Sequence, residues 1–141
     1  MKKRSVVIVA GGKGLRVGRE LPKQFLPIGG KPMLMRTIEA FHDFDKEMKI
    51  VVVLPESFRQ LWSELLQEYN FIVAHTVVNG GETRFHSVRN GLQLIEDFET
   101  VGIHDAARPF VSAEVIERCY RESEDFGCGI IPVVEEVNSI R

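Results

Sequence analysis

The apolar residues of this chain alternate between two periods. "SVVIVA" (5–10), "KIVVVLP" (49–55), "FIVAHTVV" (71–78), "TVGIHD" (100–105) and "GIIPVV" (129–134) are short β-branched runs. Several are apolar on both faces, as strands buried in a parallel sheet are. Between them the spacing turns helical. Phe58, Leu61, Trp62, Leu65 and Tyr69 form one stripe, Phe85, Val88, Leu92 and Ile95 a second, and Val115, Ile116, Cys119 and Tyr120 a third. A weaker stripe starts at Pro32 and takes in Leu34, Ile38 and Phe41. Ser112 stands where an N-cap belongs, with Glu114 in the first turn. Strands alternating with helices predict right-handed βαβ crossovers, hence an α/β three-layer sandwich around a mostly parallel, twisted sheet. Ligands of such sheets gather at the carboxyl ends of the strands.

Length and composition narrow the function classes. The 141 residues make a single domain, 1–141, with no repeat, low-complexity tract or linker to divide it. A formal net charge of −2 gives no general affinity for nucleic acid, which calls for a strong basic excess. The apolar run after "MKKR" is ended by Gly11 and Gly12, short of the roughly 7 to 15 residues of a signal peptide and the about 20 of a membrane span. Cys119 and Cys128 have neither CxxC spacing nor a nearby histidine pair, so they are expected to be ordinary thiols in a reducing cytoplasm.

Three strand ends carry unusual residues. The first is "AGGKGLRVGRELPK" (10–23), where every charged side chain except Glu20 is basic. Its glycines let backbone N–H groups approach an anion closely, and Arg16 and Lys23 add the cations that a triphosphate needs. No Gly-Lys-Ser/Thr closes a Walker A loop, and Val17 stands where a dinucleotide fingerprint needs its third glycine. The second is "NGGETRFHSVRNG" (79–91): a turn at Asn79, Gly80 and Gly81, then a helix predicted from Thr83 to Glu96. Ser87 falls one turn into that helix, facing the strand-end cleft or simply part of a well-capped helix with Arg84 in water. The third is "HDAARPF" (104–110). Asp105 ends a predicted strand, where a carboxylate for magnesium belongs beside a phosphate cradle. His104 also fits a hydrogen-bonded sheet-end residue, and Arg108 a structural ion-pair partner.

Together, AGGxGxR (10–16), PKQF (22–25), GGxxRxxSVxNGL (80–92) and HDAARPF (104–110) resemble the 2-C-methyl-D-erythritol 4-phosphate cytidylyltransferases. Ribitol-5-phosphate cytidylyltransferases share the pattern. The resemblance implies the nucleotide-diphospho-sugar transferase fold, a Rossmann-like architecture. It also implies that Ala10, Gly11, Gly12 and Gly14 wrap the CTP phosphates and part of the base, while Gly80, Gly81, Glu82, Arg84 and Ser87 complete the nucleotide site. Arg16 and Lys23 fall on the family's transition-state-stabilising pair, Asp105 on its Mg2+ ligand, and Arg108 near the acceptor phosphate. Ser139 matches an acceptor position in a segment where the family shows aspartate and this chain has Asn138.

Family members run to well over 200 residues by that resemblance. A dimerising β-arm, further acceptor-positioning residues and a second acidic metal ligand are expected beyond Arg141. The implied enzyme is a cytoplasmic homodimer that uses CTP and a polyol phosphate. A non-catalytic nucleotide-binding module is the reading from another class, disfavoured because Arg16, Lys23 and Asp105 are all present.

Overall fold

The computed structural model describes residues 3–10, 22–96 and 100–130. Its main sheet has four parallel strands: β1 (Arg4–Val9), β4 (Lys49–Leu54), β5 (Thr76–Asn79) and β6 (Thr100–Asp105), in the spatial order β5-β4-β1-β6. Around them lie α1 (Met33–Phe44), α2 (Arg59–Glu68), α3 (Arg84–Leu92) and α4 (Ala113–Phe126). Val6, Ile8, Ile50, Val52 and Leu54 pack with Leu34, Ile38, Trp62, Ile116 and Tyr120, so α1, α2 and α4 cover one face. Val7, Val9, Val51 and Val53 meet Val88 and Ile95 on the other, which α3 covers. The predicted three layers are there. With apolar side chains on both faces, β1 and β4 bury almost their whole length.

Right-handed crossovers fix which helix lies on which face. From β1 to β4 to β5 the chain steps one way across the sheet, through α1 and α2. From β5 to β6 it returns past β1 through α3. The direction therefore reverses between β1 and β6, the switch point where such sheets open a crevice. A short hairpin, β2 (Pro27–Ile28) with β3 (Lys31–Pro32), precedes α1 and turns through Gly29 and Gly30 at φ of 61° and 84°. Positive φ at both central residues is the type I′ pattern that Gly-Gly favours.

Three predicted elements differ in extent or orientation. The third strand was expected over 71–78 but pairs only from Thr76, opposite Val51. Residues facing 71–73 would fall in the turn that follows α1, so that stretch is held instead by α2. Phe71 N donates to Leu66 O at 2.9 Å, and Trp62 Nε1 donates to His75 Nε2 at 3.1 Å. The helix expected to reach Glu96 ends at Leu92, in tighter turns closed by Leu94 N to Gly91 O and Ile95 N to Leu92 O. Its apolar stripe is split: Val88, and Ile95 just past the helix, pack on the sheet, but Phe85 is 68% exposed and Leu92 is exposed too, while Ser87 and Gly91 are buried. In the predicted strand 129–134, residues 129 and 130 take no strand form and the remainder lies outside the described residues.

The small residues on α3 have a steric cause. A Cβ at Gly91 would sit 2.5 Å from Val7 Cγ1 and 3.0 Å from Val53 Cγ2, so the helix lies directly on the two central strands. Gly91→Ala is expected to force α3 off the sheet and cost about 1–3 kcal/mol of stability. Urea unfolding checks this: a midpoint equal to the parent's would mean that the helix can lift without loss.

The Trp62–His75 pair predicts a pH dependence. His75 Nδ1 donates to Val73 O at 2.8 Å, leaving Nε2 as the acceptor for the indole N–H, so the imidazole is held neutral. Burial lowers its pKa below 6.5, outweighing the bond to Val73. The unfolded chain thus binds the proton more readily. Stability from this group is complete above about pH 6.5 and falls as the pH drops further. His75→Gln is expected to flatten the loss of unfolding midpoint between pH 7.5 and 5.5, followed by the fluorescence of the chain's single tryptophan. An unchanged slope would assign the dependence elsewhere, for instance to His104, whose pKa burial also lowers.

Candidate nucleotide site at the strand ends

Register brings the strand ends level. Val9 pairs with Val53 on one side and with Asp105 on the other, and Leu54 pairs with Asn79. The ladder continues one step beyond: Ala10 N donates to Val53 O at 2.8 Å, Gly80 N to Leu54 O at 2.7 Å and Ala106 N to Val9 O at 3.1 Å. Ala10, Gly80 and Asp105 therefore open onto one edge. At about 4.8 Å per strand, Gly80 and Asp105 stand three spacings apart, on the order of 14 Å, the scale of an extended nucleotide.

On the β5 side, the end of the strand is held from two helices. Arg59 Nη1 donates to Asn79 Oδ1 at 2.9 Å, and Asn90 Nδ2 donates to Asn79 O at 3.0 Å. Thr83 caps α3, its Oγ1 accepting from His86 N at 3.2 Å. Ser87 Oγ accepts from Gly81 N at 3.0 Å, and the residue is 1% exposed. Its hydroxyl oxygen thus shapes the loop from behind. The N–H of Gly80 is bound to Leu54 and that of Gly81 to Ser87, so neither is available to a ligand. Glu82 and Arg84 are exposed beside them. A Cβ at Gly81 would lie 2.3 Å from His86 Cβ, so the loop can lie this close to α3 only with glycine there.

On the β6 side the motif folds into a tight turn. Asp105 Oδ1 accepts from Ala107 N at 2.9 Å, Arg108 N donates to Asp105 O at 3.1 Å, and His104 Nε2 donates to Arg108 O at 2.8 Å. His104 is thus the hydrogen-bonded sheet-end residue, its ring edge-on to Phe41 at 4.9 Å. Thr37, fully buried on α1, donates its Oγ1 proton to Ala106 O at 2.8 Å and ties the turn to the core. Asp105 is half-buried with Oδ1 engaged, which leaves Oδ2 for a ligand. The described residues hold no cluster of three or more metal-ligating side chains. One carboxylate suits Mg2+, which keeps several waters and takes phosphate oxygens as its other ligands. Arg108 is exposed and makes no ion pair among the described residues.

Lys23 opens a 3₁₀ turn, Lys23–Phe25, and is exposed. Gln24 Nε2 reaches from that turn to Ala10 O at 2.9 Å, which brings Lys23 to the end of β1. Gly11, Gly12, Gly14, Arg16 and Ser139 lie outside the described residues. Ala10, Gly80, Gly81, Asp105 and Arg108 are carried on strand-end segments, Ser87 on the first turn of α3 behind one of them, and Lys23 on the 3₁₀ turn tied to Ala10. Sequence reasoning passed over Gln24, Thr37 and Asn90, whose side chains bond backbone carbonyls of those segments; Gln24 and Asn90 sit inside the quoted motifs, and Thr37 carried no signal beyond its helical register.

Parallel strands with a switch point between β1 and β6 define an α/β domain of the class that takes its ligands at the carboxyl ends of the sheet. The chain belongs to the 2-C-methyl-D-erythritol 4-phosphate cytidylyltransferase family, whose model matches residues 5–141. It is 57% identical over 138 residues to a protein of that name from Bacteroides fragilis, and 55% identical over 139 residues to one from Bacteroides thetaiotaomicron. These matches cover 98% and 99% of this chain and 63% of each relative, so the chain spans less than two thirds of their length. In fold it is similar to the crystal structure of 4-diphosphocytidyl-2C-methyl-D-erythritol synthase from Anaerococcus prevotii, with a TM-score of 0.69 and 24% identity, covering 87% of this chain and 52% of that one. The described residues contain no helix long and apolar enough to cross a membrane.

Proposed function

We propose that this chain is the nucleotide-binding part of a cytidylyltransferase that joins CTP to 2-C-methyl-D-erythritol 4-phosphate and releases pyrophosphate. The single observation carrying the reading is the convergence of Ala10, Gly80 and Asp105, with Lys23 tied to Ala10 through Gln24, at one strand-end edge in a chain of this family. The names of its relatives favour methylerythritol phosphate over ribitol 5-phosphate as the acceptor. Cytoplasmic location and a homodimer belong to the same proposal.

The chemistry follows from the groups present. A phosphate monoester is largely an anion at neutral pH, with a second pKa of about 6, so the acceptor attacks the α-phosphorus of CTP without a general base. Catalysis is then positioning and charge stabilisation. Lys23 meets negative charge that develops on the phosphates, and Arg16 is assigned the same task. Asp105 would hold Mg2+, which supplies further neutralisation of phosphate charge when bound. Arg108, exposed three residues past Asp105 and bonded through its backbone to Asp105 and His104, is assigned to the acceptor phosphate, and Ser139 to the same acceptor.

Base choice rests on the loop at 80–82. Cytosine presents the exocyclic N4 amine as a donor, and the loop's carbonyls are acceptors. A larger purine would have to displace Gly81, which α3 backs closely. Calorimetric titration of the protein with CTP, ATP and GTP tests this. Preference for CTP supports it; equal affinity for all three would overturn the assignment of Gly80, Gly81, Glu82 and Ser87.

A further inference from the structure

We propose that Gln24 is a positioning residue that aims Lys23 at the reacting phosphates, an inference that rests on the role given to Lys23 above. Residues 23–25 form one 3₁₀ turn, closed by Phe25 N to Pro22 O at 3.0 Å and Leu26 N to Lys23 O at 3.1 Å. With three residues per turn, successive side chains point about 120° apart. Two of these directions are anchored. Phe25 is 1% exposed, its ring 5.8 Å from that of Phe58 and 6.0 Å from that of Trp62. Gln24, half-buried, donates from Nε2 to Ala10 O, the last described backbone position before the first glycine loop. The third direction is that of Lys23, exposed and without an ion pair among the described residues.

Phe25 packs the turn on the core, and Met33 N, donating to Leu26 O at 3.0 Å, holds its far end to the start of α1. The Gln24 bond adds the tie that neither of these makes, to the strand that also delivers the glycine loop. An amide suits this task because the partner is a carbonyl and only a donor satisfies it; a carboxylate of the same length would repel it. Since a misplacement of about 1 Å can cost on the order of 10²-fold in rate, loss of the tie should register in turnover.

A double-mutant cycle in the full-length enzyme tests this. Gln24→Met fills the same space without the bond and is expected to lower kcat about ten-fold or more, with the CTP dissociation constant and thermal midpoint near those of the parent. In a Lys23→Ala background the same change should alter kcat by less than about two-fold, because the residue it aims is gone. Gln24→Glu, measured alongside, repeats the result if Gln24→Met fails to fold. Full, multiplicative losses in the double variant, or a normal kcat for both Gln24 variants, would overturn the positioning role while leaving Lys23 in place. A normal kcat for Lys23→Ala alone would remove Lys23 from the mechanism and this role with it.

Discussion

Lys23→Ala in the full-length enzyme is expected to lower kcat by about 10²- to 10³-fold, the scale of losing one preorganised donor to a developing oxyanion. The ammonium stands exposed at the end of a turn that Gln24 and Phe25 fix. It has no ion partner among the described residues, and in the proposed role its pairing comes with the phosphates and strengthens as negative charge concentrates during transfer. CTP affinity should change less than turnover, because an interaction made mainly in the transition state appears in kcat. The thermal midpoint should stay within about a degree, since exposed basic side chains contribute little to folding. Stopped-flow pyrophosphate release with saturating CTP measures the effect. A kcat within two- or three-fold of the parent would take Lys23 out of the mechanism.

The second large effect is expected at Asp105. Asparagine keeps the acceptor oxygen for Ala107 N–H and so preserves the turn, but it removes the charge that a hard cation seeks. Asp105→Asn should shift the magnesium concentration for half-maximal activity upward by about ten-fold or more, on the scale of losing a metal-site partner. Far-ultraviolet circular dichroism should be unaltered. If the magnesium titration superimposes on the parent's, Asp105 serves the turn alone and the metal assignment fails.

How far these positions were legible in the sequence depended on which signal each one left. Val6 to Val9 and Ile50 to Leu54 are apolar on both faces because both faces are covered, and that continuous pattern gave the central strands directly. Helices α1, α2 and α4 bury apolar stripes containing Leu34, Trp62 and Ile116, and their period was sufficient. On α3 the same rule gave a mixed stripe, with Val88 on the sheet and Phe85 in solvent. Ser87 and Gly91, the most buried positions of the helix, are small, Gly91 because the helix touches Val7 and Val53 there, and a hydrophobic period cannot register a contact made by absence of side chain. Residues 71–75 alternate half-buried and exposed as a strand would, yet Trp62 and Leu66 hold them instead of a ladder.

The site was legible as motifs and less so as geometry. Asp105 and Gly80 could be placed at strand ends because each follows a recognisable apolar run. The bonds that shape their loops were not foreseeable, since Thr37 to Ala106 spans 69 residues and Gln24 to Ala10 spans 14, and neither pair has a spacing rule. Ser87 was expected near the cleft; its burial and its bond to Gly81 N show that it holds the loop in which Gly80 and Gly81 lie.

The most direct measurement is pyrophosphate release by the full-length protein with CTP, offering 2-C-methyl-D-erythritol 4-phosphate and ribitol 5-phosphate in turn. Robust turnover with the methylerythritol phosphate, at least ten-fold above that with ribitol 5-phosphate in kcat/KM, is the predicted result. Turnover favouring ribitol 5-phosphate, or CTP binding without pyrophosphate release from either acceptor, would contradict it.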